Sequence, residues 1–166
     1  MAAPVSSIGV PLRKAVVAGL RDHFAGLSGF NGAAVAERKT VVAFGYDYTN
    51  LHREQVYTGR CRADTPSAGM RSGRNTRNET GRLDLNVHVR GVVERDVDPA
   101  EAAVERAEEI GGEIESWFAD RKNGEGLDVD GLQTLVVESW ADDYGKGENG
   151  ITATRTYVIR WTARLE

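Results

Sequence analysis

The closing segment of this 166-residue chain constrains its fold more than any other stretch. From Ile151 to Leu165, the residues Ile151, Ala153, Tyr157, Ile159, Trp161, Ala163 and Leu165 fall on one face, with Arg155 as the exception. A period of two sustained over that length is a long strand with one face turned to a core. Leu132 to Ala141 reads as a second strand, and the turn-rich residues 142–150 between them make the pair a hairpin. A chain that ends this way must build its core on a sheet.

The rest of the chain supplies the partners. Leu85, Val87 and Val89 alternate with Asp84, Asn86, His88 and Arg90, which is again a half-buried strand. Thr40 to Tyr48 is β-branched and aromatic, and Glu54 to Cys61 is a weaker strand candidate. Leu12, Val16, Leu20 and Phe24 recur every four residues behind Pro11, the stripe of an amphipathic helix that Gly26 and Gly29 end. Asp98-Pro99-Ala100-Glu101 combines an acidic N-cap, a proline at the first helical position and a glutamate three residues past the cap. The helix it opens carries Ala103, Ala107, Ile110, Ile114 and Trp117 as its stripe. Gly111-Gly112 in its middle predicts close backbone packing or a kink, since each glycine costs about 1 kcal/mol relative to alanine there. The class is therefore α+β: a mixed or antiparallel sheet of about five strands with two main helices packed on it, in the order α-β-β-loop-β-α-β-β. Residues 1–166 fit one domain, since a chain of this size buries roughly 70% of its unfolded surface around one core.

Charge and composition narrow the function. A formal net charge of -4 is not the footprint of a nucleic-acid-binding domain. A single cysteine, Cys61, forms neither an internal disulfide nor a cysteine-based zinc site, and points to synthesis in a reducing compartment. The first residues lack the basic start and apolar run of a secretory signal, and no window approaches the roughly 20 apolar residues that span a bilayer.

No motif assembles a reaction. Glu138, Asp142 and Asp143 are the obvious carboxylates for acid and base work, but they flank a hairpin turn, where charge keeps a sheet end soluble. His23, His52 and His88 have no metal-site spacing, and although Cys61 with His52 suggests a nucleophile and base, a lone cysteine reads better as a small buried hydrophobe. Asp128-Val129-Asp130-Gly131 opens like a calcium loop but has Leu132 and Gln133 where a ligand and a glycine are needed. Gly145 to Gly150 holds a lysine among glycines but leads into a strand, not a phosphate-binding helix. The expectation is a protein without catalytic residues, metal or cofactor.

One feature outlives this filter. Arg62 to Glu79 has no hydrophobic periodicity and predicts a long polar loop. Arg60, Arg62, Arg71, Arg74, Arg77 and Arg82 lie in or beside it against Asp64 and Glu79, a local charge of 6 − 2 = +4, which leaves −4 − 4 = −8 on the remainder. Opposite charge on separate surfaces suits head-to-tail docking of copies, with Arg62, Arg71, Arg74 and Arg77 as candidate contacts. Lacking an apolar anchor, the loop is expected to order only against a neighbour.

The order of elements and segments such as Glu79-Thr80-Gly81-Arg82-Leu83-Asp84-Leu85-Asn86-Val87-His88-Val89, followed by the capped helix, resembles the tail terminator proteins of long-tailed bacteriophages. The resemblance covers roughly Pro11 to Leu165 and has no signature motif. It implies a virion structural protein of the neck: a hexameric ring that caps the tail tube, ends its elongation and joins tail to head connector. Implied partners are further copies of the chain, the tail tube protein and a head-completion protein. Nucleic acid enters only as DNA passing through the ring lumen, no membrane is involved, and synthesis is in the host cytoplasm. The alternatives are another neck or minor tail component, such as a head-completion or stopper protein, and a small α+β enzyme or ligand-binding domain.

Overall fold

A computed structural model describes residues 8–33, 38–48, 52–66, 77–91, 98–147 and 150–165. Its elements are α1 (Gly9–Ala25), β1 (Thr40–Ala43), β2 (Glu54–Pro66), β3 (Arg77–Arg90), α2 (Pro99–Ala119), β4 (Leu132–Gly147) and β5 (Gly150–Leu165). The fold is the expected α+β type. The strands form one mixed sheet in the order β1-β2-β3-β5-β4, with β1 parallel to β2 and every other pair antiparallel.

Alternation decides which face the helices cover. Leu83, Leu85, Val87 and Val89 on β3 lie opposite Ile159, Tyr157, Arg155 and Ala153 on β5, and all are buried. Onto this inner face pack Leu12, Val16, Leu20 and Phe24 of α1 and Ala103, Ala107, Ile110, Ile114 and Trp117 of α2, in a single apolar cluster. The start of α2 follows its sequence signal, because the Asp98 carboxylate accepts from the Ala100 and Glu101 amides at 3.1 and 3.2 Å, relieving two amides that have no helical partner. The two mid-helix glycines differ in use. A Cβ on Gly111 would meet the Tyr157 hydroxyl, so this glycine lets α2 sit close to β5, whereas Gly112 faces open space and the helix runs through both.

A buried ion pair ties the helix layer to the sheet. Glu54, at the start of β2 and fully buried, receives Arg106 Nε of α2 at 2.8 Å and the Thr40 hydroxyl at 3.0 Å. Arg106 also donates to the Gly29 carbonyl at 2.7 Å and stacks over Phe30 at 4.3 Å. Its guanidinium replaces lost water with charge-assisted bonds, which is the condition for burying a charge at all.

The structure corrects three expected boundaries. The loop expected over 62–79 is strand at both ends: β2 continues to Pro66, β3 begins at Arg77, and Arg62, Ala63, Thr65 and Pro66 pair with Arg82, Gly81, Thr80 and Glu79. Two register shifts in β2, after Thr58 and after Ala63, break the period-two pattern that sequence reading depends on. The hairpin likewise runs further than Ala141, with Asp142 to Lys146 paired to Arg155 to Ile151 through turn-type residues. Finally, the strand expected over Thr40–Tyr48 ends at Ala43, after which the chain crosses to the outer face of the sheet, where Tyr46 packs on Tyr57 and His88.

Candidate functional site

The histidines weighed in the sequence, and Glu138 and Asp142 among the carboxylates, are spent on pairs with neighbouring side chains. His23 lies 3.0 Å from Glu113, and His52 lies 2.7 Å from Asp47. His88 contacts the Thr154 hydroxyl at 3.2 Å, and burial, with Arg90 nearby, pushes its pKa below the ordinary value of 6.5. Burial raises the Cys61 thiol, which keeps it protonated and a poor nucleophile. Glu138 sits in the outer-face bulge of β4 and accepts from Arg82 Nε at 2.7 Å, and that bond holds its pKa below the usual carboxylate range. Arg82 also bonds Asp64. Among the described residues no group of three His, Cys, Asp or Glu is placed to hold a metal ion, and no helix is long and apolar enough to cross a membrane.

The expected basic contact residues are divided by the fold. Arg62 stands on β2 with its side chain half exposed and Nε 3.5 Å from Asp64, so it is turned toward solvent on a strand and not on a loop. Arg77 opens β3 opposite Leu165. Arg71 and Arg74 lie outside the described residues.

Sequence reading missed where the exposed apolar residues gather. The large hydrophobics exposed among the described residues are Val10, Phe44, Tyr48, Val136, Trp140 and Tyr144. They split between the two long edges of the sheet. Phe44 and Tyr48 follow β1, and Arg13 of α1, one turn from Val10, stacks over Phe44 at 4.0 Å and donates to Thr58 of β2 at 3.2 Å. Val136, Trp140 and Tyr144 belong to β4 at the opposite edge.

A bulge explains why Trp140 and Tyr144 escaped notice. Leu135 and Val137 pair with Trp161 and Ile159 on the inner face, then the register slips at Glu138, so that Trp140, Asp142 and Tyr144 take the inner face from there on. Parity thus changes from odd to even within one strand. The inner face of this distal part carries Trp140 at 52% and Tyr144 at 69% exposure. It is braced by Arg155, which is buried, donates to Asp142 at 2.6 and 2.8 Å, and lies 4.2 Å over the Trp140 ring. The Asp142 bonds hold Arg155 firmly protonated. The Trp140 ring stacked on a paired charge is thus an exposed aromatic surface held in place at low entropic cost.

Comparison with known proteins rests on shape alone. No family model matches the sequence, and no curated protein matches it significantly. The fold is shared with a solved virion protein. A chain described as "Virion of native gene transfer agent (GTA) particle" superposes with a TM-score of 0.55, at 14% identity, over 96% of this chain and 99% of that one. Coverage so nearly complete on both sides means that the whole α+β unit is common to the two chains. At that identity it carries no residue roles across.

Proposed function

We propose that this chain is a non-enzymatic structural component of a phage-like virion, and specifically a tail terminator: a subunit of a ring at the neck that caps the tail tube, ends its elongation and joins it to the head connector. The observation that supports this most is the end-to-end match in fold to a gene transfer agent virion chain. The exposed aromatic edge fits the reading, since a subunit that works by assembly needs surface kept apolar for a neighbour. A repeated heterologous contact closes into a ring with two different faces, one for the tube and one for the connector. In this reading the partners are further copies of the chain, the tube protein and a head-completion protein. Arg62, Arg71, Arg74 and Arg77 contribute cationic contacts to a neighbouring subunit or to the tube, Arg71 and Arg74 from the connection between β2 and β3.

The test is assembly. Light scattering of purified protein, alone and with tail tubes, is expected to report a closed oligomer; a monomer in both conditions overturns the proposal. Replacing Arg71, Arg74 and Arg77 together by Glu is expected to leave the fold unchanged and weaken assembly, more so at low salt. Unchanged ring formation and tube capping by that variant would remove the cationic contacts from the proposal.

A further inference from the structure

The two long edges of the sheet are finished differently. At the β1 edge two outward backbone groups are occupied: the Thr40 amide donates to the Phe30 carbonyl at 2.8 Å, and the Val42 carbonyl accepts from Arg21 of α1 at 3.1 and 3.3 Å. A further strand there would have to displace both bonds. But β1 covers β2 only from Glu54 to Tyr57, and among the described residues no strand pairs with β2 on that side from Thr58 to Pro66. On the far side, β4 has backbone partners outside its hairpin only near its start, where the Leu132 and Leu135 amides donate to Val129 and Lys122. From Val136 to Gly145 its outer side is bare among the described residues. Among the described residues there are therefore two open strand edges, one on β2 and one on β4.

Their charges are opposite. The open part of β4 carries Glu138, Asp142 and Asp143, and the open part of β2 carries Arg60 and Arg62 with Asp64. Once Glu138 is paired with Arg82, Asp142 with Arg155, and Asp64 with both Arg82 and Arg62, the exposed charges left are Asp143 on β4 and Arg60 on β2. Pairing β4 with β4 of another copy would bring together two edges with an excess of carboxylates, and pairing β2 with β2 two edges with an excess of guanidinium groups. Like charges across a ladder are destabilising. Each edge is protected from its own kind and complementary to the other. The apolar residues divide the same way, with Trp140 and Tyr144 beside the β4 edge and Val10 and Phe44 beside the β2 edge.

Resting on the ring reading above, we propose that the seam between neighbouring subunits is a strand-to-strand junction in which the open edge of β4 in one copy pairs with the open edge of β2 in the next. Within one copy the two edges are separated by β3 and β5, three strand spacings or about 14 Å, so they cannot satisfy each other. The contact uses two different patches, which makes it heterologous and able to close by rotation. Along a ring the strand directions repeat, so β4 meets the neighbouring β2 antiparallel, the commoner sense for strand addition.

Cysteine cross-linking decides it. In a Cys61→Ser background, Ala63→Cys on β2 is combined in turn with Ser139→Cys, Ala141→Cys or Asp143→Cys on β4. Disulfides need Cα atoms within about 7 Å, so a bond within one copy is excluded. Oxidation is expected to give a ladder of covalent oligomers that ends at the ring for at least one pair. Trp140 emission is expected to shift to shorter wavelength on assembly, since Trp117 and Trp161 are already buried. Arg60→Glu and Asp143→Arg variants are each expected to lose assembly and to regain it when mixed. A ring that forms in light scattering without cross-links at any pair, or with β4-only dimers from Ala141→Cys alone, overturns the seam and leaves the ring reading standing. A protein that stays monomeric with and without tubes overturns both.

Discussion

The two halves of the β4–β5 hairpin share strands and ladder but are held by different forces. Near its base, Leu135, Ile159 and Trp161 are fully buried under α2, and the Thr134 and Thr162 hydroxyls meet at 2.6 Å on the outer face. In the distal half the same inner face carries Trp140 and Tyr144 in solvent, and its order comes from backbone pairing plus one buried arginine. Burial specifies the base; an ion pair and a stacked ring specify the tip. A strand can thus be folded into the core at one end while its other end leaves large aromatic side chains in solvent.

Substitutions should separate the halves, beginning with the base. Trp161 is fully buried and lies over Gly81, whose Cβ would strike the indole. Trp161→Ala is expected to cost about 3–5 kcal/mol, read as a lower midpoint in chemical denaturation. A loss below about 1 kcal/mol would mean that the base is not held by burial.

The brace comes next. Asp142→Ala leaves the Arg155 guanidinium without its carboxylate and is expected to cost about 1–3 kcal/mol. Loosened packing of Trp140 should appear as a fluorescence change in the unassembled subunit. Replacing both residues, as Asp142→Ala with Arg155→Met, is expected to recover part of that loss, because no charge is then left unpaired.

A smaller effect should appear with pH. His88 touches Thr154 of the distal half, and burial lowers its folded pKa, so the unfolded chain binds the proton more readily. Stability should fall as pH drops from about 6.5 toward the lower folded value, and His88→Gln should flatten that slope in denaturation measured between pH 7 and 5. An unchanged slope would place the imidazole in free exchange with solvent. Smallest of all, Trp140→Ala should change subunit stability by under about 1 kcal/mol, the scale of an exposed cation–π contact. Its large effect is reserved for assembly.

The legibility of this chain in its sequence follows the same division. Where burial repeats with a fixed period, as in β3, β5 and the stripes of both helices, residues and faces are readable without coordinates. The cap at Asp98 is readable because its chemistry is local. The exposed sheet edges are not, for two physical reasons. A bulge at Glu138 changes which parity faces inward, so Trp140 and Tyr144 lose their pattern, and the glycines and aspartates of 142–147 look like a turn although they pair. The capping of β1 by Arg21 depends on a contact 21 residues away, which no local pattern encodes. Arg62 reads as loop in the sequence but stands on a strand, since β2 reaches it only through register shifts.

The place of β5 in the sheet has a consequence for how the protein is made. The last strand of the chain is inserted between β3 and β4, and its register joins Arg77 to Leu165 and Arg90 to Thr152. A nascent chain on the ribosome can form the β2–β3 hairpin and both helices, but the central ladder waits until β5 has been synthesised. Until then β3 offers an unpaired edge to every other nascent copy nearby, the condition under which contacts distant in sequence make folding slow and aggregation competitive. Loss of even a few residues from the end of β5 would therefore prolong that exposure out of proportion to the surface removed.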